Sequence, residues 1–125
     1  MSVLVDTPVW VDHFRRRNAT LVELIKLDLV LTHPMVVLEL ACGTPPQRTR
    51  TLDDMELLHS AQQASLTEVR AFIDREKLYG SGCGLVDMVL LSSALITPGG
   101  RLWTLDSRLA DLAGRFGIAY LAAAH

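Results

Sequence analysis

Short apolar runs alternate with amphipathic stretches along this chain. Val3-Leu4-Val5 is a β-branched run that predicts a buried strand, and it stops at Asp6-Thr7-Pro8. Thr7 suits a helix N-cap and Pro8 the first turn, so a helix is expected through Trp10 and Phe14 to Arg15-Arg16-Arg17. Asn18-Ala19-Thr20 marks a break. A second helix follows, with Leu21, Leu24, Ile25 and Asp28 at helical spacing. Leu29-Val30-Leu31-Thr32 predicts the next strand. Pro34 opens a helix that carries Met35 to Cys42 and ends at Gly43. After the turn Thr44-Pro45-Pro46, an exposed amphipathic helix is expected over 47–59, and a short strand within 62–66. Ser65-Leu66-Thr67-Glu68 supplies capping chemistry for a helix through Val69, Phe72 and Ile73. Leu85–Ile96 predicts a nearly all-apolar, buried helix. A strand over 102–104, a helix over 107–115 and a last strand over 118–121 complete the pattern. Alternating strands and helices predict an α/β fold with a parallel sheet covered on both faces.

The 125 residues predict one domain, large enough for its own core. Half of them are hydrophobic and 21% are charged, which excludes a disordered chain. The net charge of −2 excludes the strongly basic footprint of a passive nucleic-acid binder. An aromatic content of 6% argues against a surface that reads single strands mainly by base stacking. Cys42 and Cys83 have no partner spacing for zinc or a disulfide framework and are expected as buried small hydrophobes. The N-terminus reaches a carboxylate at Asp6 with no basic region before it, which does not suit a signal peptide. The apolar stretch at Leu85–Ile96 is shorter than the roughly 20 residues a bilayer needs. A cytoplasmic protein is expected.

Most acids sit on polar faces, but Asp6, Glu39, Asp87 and Asp106 do not. Asp6 and Asp106 each follow an apolar strand. Glu39 and Asp87 are the only polar residues in their apolar runs. Burial of an unpaired carboxylate costs several kcal/mol or neutralises it. No lysine or arginine lies one helical turn from Glu39 or Asp87. Asp6 and Asp106 can each be explained as a helix cap, and Asp87 as an anion in a first turn. Glu39 has no such explanation. Taken singly, each capping reading is as good as a chemical one. Together, the four acids point to one cluster outside the carboxyl ends of the strands, where a divalent cation would relieve their repulsion. Oxygen-only ligands suit Mg²⁺ or Mn²⁺ better than zinc.

The opening Val-Leu-Val-Asp-Thr-Pro-Val-Trp-Val-Asp-His-Phe-Arg resembles the start of PIN-domain ribonucleases, specifically the VapC-type toxins of toxin–antitoxin modules. Leu31-Thr32-His33-Pro34 with Glu39-Leu40, Gly84-Leu85-Val86-Asp87, and Leu102-Trp103-Thr104-Leu105-Asp106-Ser107-Arg108-Leu109 are similar to that family's later blocks, in order. The resemblance spans essentially the whole chain. It implies a PIN-like three-layer sandwich, with a central parallel sheet of four to five short strands flanked by helices. It also implies metal-assisted hydrolysis of RNA phosphodiesters, leaving 5′-phosphate and 3′-hydroxyl ends. By position, Asp6, Glu39, Asp87 and Asp106 take the metal-binding and catalytic roles, with the Thr7 and Thr104 hydroxyls beside them. Arg15, Arg16, Arg17 and Arg108 are candidate RNA contacts; the arginine run is equally explained as a solvated helix end. Pro8 stands where a serine is usual in the family, and Arg108 where many members carry a further acid. A homodimer and a VapB-type antitoxin are the implied partners.

Two other enzyme classes fit less well. A haloacid-dehalogenase-type phosphatase needs Asp-x-Asp after the first strand, and Pro8 takes the second aspartate's place. A receiver domain needs a lysine after a late strand, and none is present. A non-catalytic PIN-like module that binds RNA or protein is the alternative from another class; it is expected to have lost one of the four acids. His13, His33, His59 and His125 lack ligand spacing and are expected at the surface or an interface. The glycines at 80, 82 and 84 do not follow a strand, so they are expected to free the approach to Asp87 rather than bind phosphate.

Overall fold

The computed structural model describes residues 1–122. His125 lies outside them. The chain runs β1 (Ser2–Val5), α1 (Thr7–Arg15), α2 (Ala19–Lys26), β2 (Val30–Thr32), α3 (Pro34–Ala41), α4 (Arg48–Glu56), β3 (His59–Ser60), α5 (Leu66–Glu76), α6 (Leu85–Ile96), β4 (Gly100–Trp103) and α7 (Ser107–Arg115). The strands form one sheet in the order β3-β2-β1-β4, and all neighbours are parallel. Successive strand residues point to opposite faces, yet Val3, Leu4 and Val5 are all fully buried. Both faces of β1 are therefore covered, as expected of a parallel sheet in a three-layer α/β sandwich. α6 supplies much of the cover: Met88 through Ala94 are buried without a break.

Parallel strands bring their carboxyl ends to one edge, and the register decides which residues meet there. Val5 pairs with Trp103, so the next residues outward, Asp6 and Thr104, face each other across two adjacent strands. The Asp6 N–H donates to the Trp103 carbonyl at 2.9 Å and extends the ladder by one bond.

Several expectations are corrected. Asp6, not Thr7, caps α1, accepting from the Thr7 N–H at 2.8 Å. α2 ends at Lys26, and Asp28 lies beyond it with φ of 60°. α4 ends at Glu56 rather than at residue 59, because His59 and Ser60 pair with Leu31 and Thr32. Sheet pairing overrides a helical pattern there, and the His59 imidazole is tied to Asp28 at 2.8 Å. The stretch 62–66 forms no strand. Its backbone donors go to α6 side chains and the turn after it: Gln62 N–H to Thr97 Oγ1 at 2.9 Å, and Ala64 N–H to Ser93 Oγ at 3.2 Å. Residues 118–121 form one bridge, Leu102 to Ala119, rather than a full strand. α3 is buried on one stripe only: Val36 and Leu40 are inside, whereas Leu38, Glu39 and Cys42 are exposed. Cys42 is thus no core residue, and Cys83 is half-buried. His33 is buried, not superficial: it caps α3 by accepting from the Met35 N–H and pairs with Ser93 Oγ at 3.1 Å. No described helix is long and apolar enough to cross a membrane.

Candidate active site

Asp6 is the centre of the carboxyl edge. It is 4% exposed, and both its oxygens are engaged: Oδ1 accepts from the Thr7 N–H, and Oδ2 accepts from the Thr104 hydroxyl at 2.7 Å. Burial pushes its carboxyl above the usual aspartate range. The bonds from Thr104 and Thr7 pull it back, and the negative charges of Asp87 and Glu39 push it further up. Those two charges lie near enough to be felt although they come from different helices. Each engaged oxygen keeps a lone pair, so the donors orient Asp6 without exhausting it.

The other acids surround it by short chains of contacts. The Thr7 hydroxyl donates to Glu39 Oε1 at 2.7 Å, so adjacent residues at the start of α1 hold Asp6 and reach Glu39. Thr104 Oγ1 accepts from the Asp106 N–H at 3.1 Å while donating to Asp6. Asp106 caps α7, its Oδ1 accepting from the Arg108 and Leu109 N–H groups at 2.9 and 3.0 Å. Asp87 sits in the first turn of α6 and accepts from the Gly84 N–H at 3.2 Å. The Cys83 thiol is pushed up chiefly by burial, and both Asp87 and Asp106 add to that. Capping and convergence are therefore both true: Asp6, Asp87 and Asp106 each engage a helix start, and all three lie at one edge with Glu39.

Burial does not follow the sequence expectation. Only Asp6 is deeply buried; Asp87 is half-buried, and Glu39 and Asp106 are exposed. Helix α3 is not apolar all round in space, so Glu39 keeps its solvent. The donor set is oxygen only, and the charge crowding at Asp6 suits a hard divalent cation. Among the described residues, however, no three acids, histidines or cysteines are gathered as a ready-made cage.

The arginines divide. Arg15 lines two depressions that share Thr7 and Glu39, so it borders the acidic edge. Arg16 and Arg17 line a separate hollow with Asn18 and Thr20. Arg108 donates from Nη1 to the Gly82 carbonyl at 3.1 Å. Gly82 has φ of 87°, and a Cβ there would meet Arg108 Nη1 at 2.5 Å. The glycine-rich loop is thus tied to α7 through Arg108, a contact that was not expected from the sequence, while a Cβ at Gly80 or Gly84 would meet nothing within 4 Å. The glycine run was the only signal of that contact. A cavity of about 500 Å³ between α5, α6 and Phe116 includes none of the four site acids in its lining.

Comparison with known proteins gives the family. The PIN domain family model matches residues 3–115. The chain is 41% identical over 117 residues, 94% of each chain, to Ribonuclease VapC32 of Mycobacterium tuberculosis strain ATCC 25618 / H37Rv. The same values hold for Ribonuclease VapC32 of strain CDC 1551 / Oshkosh. The family match over most of the chain and the 41% identity across 94% of these relatives place this chain in the PIN-domain family, among its VapC-type members.

Proposed function

We propose that this chain is a divalent-metal-dependent endoribonuclease, the toxin of a toxin–antitoxin pair. The observation that carries the reading is the buried carboxylate of Asp6, with the charges of Glu39 and Asp87 close enough to raise its proton affinity. Asp6, Glu39, Asp87 and Asp106 are the residues that would hold Mg²⁺ or Mn²⁺. When bound, such a cation lowers the pKa of water and neutralises phosphate charge. The chain's own residues do the rest. The Thr7 N–H and Thr104 hydroxyl fix Asp6, and the Thr7 hydroxyl fixes one oxygen of Glu39. The other Glu39 oxygen is left to orient the attacking water. Helix α7 holds Asp106 through two N–H groups. Arg15 meets the phosphate backbone beside the acids; Arg16 and Arg17 are further contacts along the strand, and Arg108 meets it with the guanidinium N–H groups not used on the Gly82 carbonyl. A VapB-type antitoxin is the cognate partner, a homodimer the working assembly and the cytoplasm the place of action.

That no three acids, histidines or cysteines are gathered among the described residues is the observation that favours the second reading, a non-catalytic PIN-like module that binds RNA or protein. Cleavage of a defined RNA pool with Mg²⁺ or Mn²⁺, with EDTA, and by Asp87→Ala separates the two. Cleavage is expected only in the metal-containing wild type, with the variant still folded by circular dichroism. Cleavage that persists in EDTA refutes the metal mechanism, and none under any condition favours the binding module.

A further inference from the structure

A cavity of about 400 Å³ opens directly off the acidic edge, sharing Thr7 and Glu39 with it. Its lining combines the Thr7 hydroxyl and the Glu39 carboxylate with the apolar side chains of Val11, Phe14, Leu40, Pro45 and Pro46. Arg15 lines it and also lines the neighbouring depression over Asp12 and Leu105, so the two hollows share the cation. A phosphate lying on the carboxylates would have this arginine beside it and the apolar lining within the same cavity for the adjoining base.

The apolar lining is built in advance. The Phe14 ring packs against Trp10, with centroids 6.2 Å apart and planes tilted by 32°. The proline wall is braced from behind by α4. Arg48 donates to the Ala41 carbonyl at 2.6 Å and to the Gly43 carbonyl at 3.3 Å. The Thr51 hydroxyl donates to the Pro46 carbonyl. Thr44 brings a hydroxyl to the rim, where a base edge would lie. A rigid aromatic and a rigid proline pair lining one slot accept a flat ring with little ordering cost.

Resting on the nuclease reading above, we propose that this slot holds one unpaired RNA base next to the scissile phosphate and so selects where the strand is cut. Phe14 and the two prolines supply the flat apolar contact, Arg15 holds the adjoining phosphate, and Thr44 biases the choice of base.

The test starts from an RNA pool randomised over a short single-stranded window, cut by the wild type with Mg²⁺ or Mn²⁺ and sequenced at the new ends. An oligonucleotide of the preferred sequence is then remade with one abasic site at each position around the cut. One neighbouring position is expected to lower kcat/KM by about tenfold or more when its base is missing, the loss of one stacked base. The same abasic site should weaken binding to the Asp6→Asn protein, measured by fluorescence anisotropy without cleavage. In Phe14→Ala the penalty at that position should vanish. Thr44→Val, at an exposed rim position that does not support the core, should change the preferred base there if Phe14→Ala fails to fold. Cleavage with equal sensitivity at every position overturns the slot but leaves the nuclease reading standing. Variants that keep the nucleotide preference yet escape inhibition by the antitoxin make it a protein groove and also overturn the proposal. No cleavage of any RNA by the wild type removes the nuclease reading and the slot with it.

Discussion

Thr104 is where the acidic edge can be probed most cleanly. Its hydroxyl donates to Asp6 Oδ2 at 2.7 Å and accepts from the Asp106 N–H at 3.1 Å. Thr104→Val keeps the shape and removes both bonds. The bond to Asp6 is charge-assisted when the carboxylate is ionised, and such bonds contribute about 1.5–3 kcal/mol. Asp106 is exposed, so water replaces the second bond at small cost. The expected loss near pH 7.5 in EDTA is therefore about 1.5–3 kcal/mol, or roughly 5–10 °C in Tm for a domain of this size. The sign with pH follows from the direction of the Asp6 shift. The Thr104 bond lowers the folded pKa of Asp6, so its removal raises that pKa further. The gap between wild type and variant is then full above both folded pKa values and narrows as pH falls through them. Where the carboxyl is protonated, only a neutral bond is missing, worth about 1 kcal/mol or less. Urea unfolding across pH measures the gap, and a carboxyl NMR titration of Asp6 measures the shift. A loss that stays the same from pH 7.5 down to the acid limit of the fold would refute the argument, because the hydroxyl would then act through packing alone.

Asp6→Asn should be more stable than the wild type at pH 7 without divalent ions, because the folded carboxyl binds its proton more tightly than the unfolded one and stability is lost as pH rises through that window; lower urea midpoints for the variant would contradict this. Burial lowers the pKa of His33, so the wild type should lose stability as pH falls below about 6.5 toward the folded value. His33→Asn, which can still cap α3, should flatten that dependence in unfolding curves at pH 7.5 and 5. The Ser92 hydroxyl is buried with no hydrogen-bond partner among the described residues, so Ser92→Ala should raise stability by about 1 kcal/mol, read as a higher Tm. Gly82→Ala should cost about 1 kcal/mol or more through its positive φ and its clash with Arg108, and less in an Arg108→Ala background, where only the backbone strain remains.

Much of the fold was legible because each apolar run was bounded by residues with a local reason to stop it. Asp6-Thr7-Pro8, His33-Pro34 and Ser65 with Glu68 all mark helix starts where the structure has them. The two-residue β3 was not legible. His59 and Ser60 carry no strand pattern, and only the free edge of β2 makes them pair. The four acids could be picked out as exceptions to polarity, but not their burial. Glu39 sits in an apolar run, yet a helix of eight residues on one flank of a sheet buries only a stripe, and the pattern of α3 is too uniform to say which. The arginine run read as one patch, although the end of α1 sends Arg15 to the acids and Arg16 and Arg17 elsewhere. The Arg108 strap joins residues 26 apart in sequence, and no local rule links them.

Two of the four acids, Asp6 and Asp106, also cap helices, and asparagine caps a helix about as well as aspartate. On the function proposed above, a single Asp-to-Asn replacement at position 6 or 106 would therefore silence the chemistry while the architecture stands. A lineage burdened by this protein has an easy escape: an inert copy that still folds, persists and goes on occupying whatever binds it.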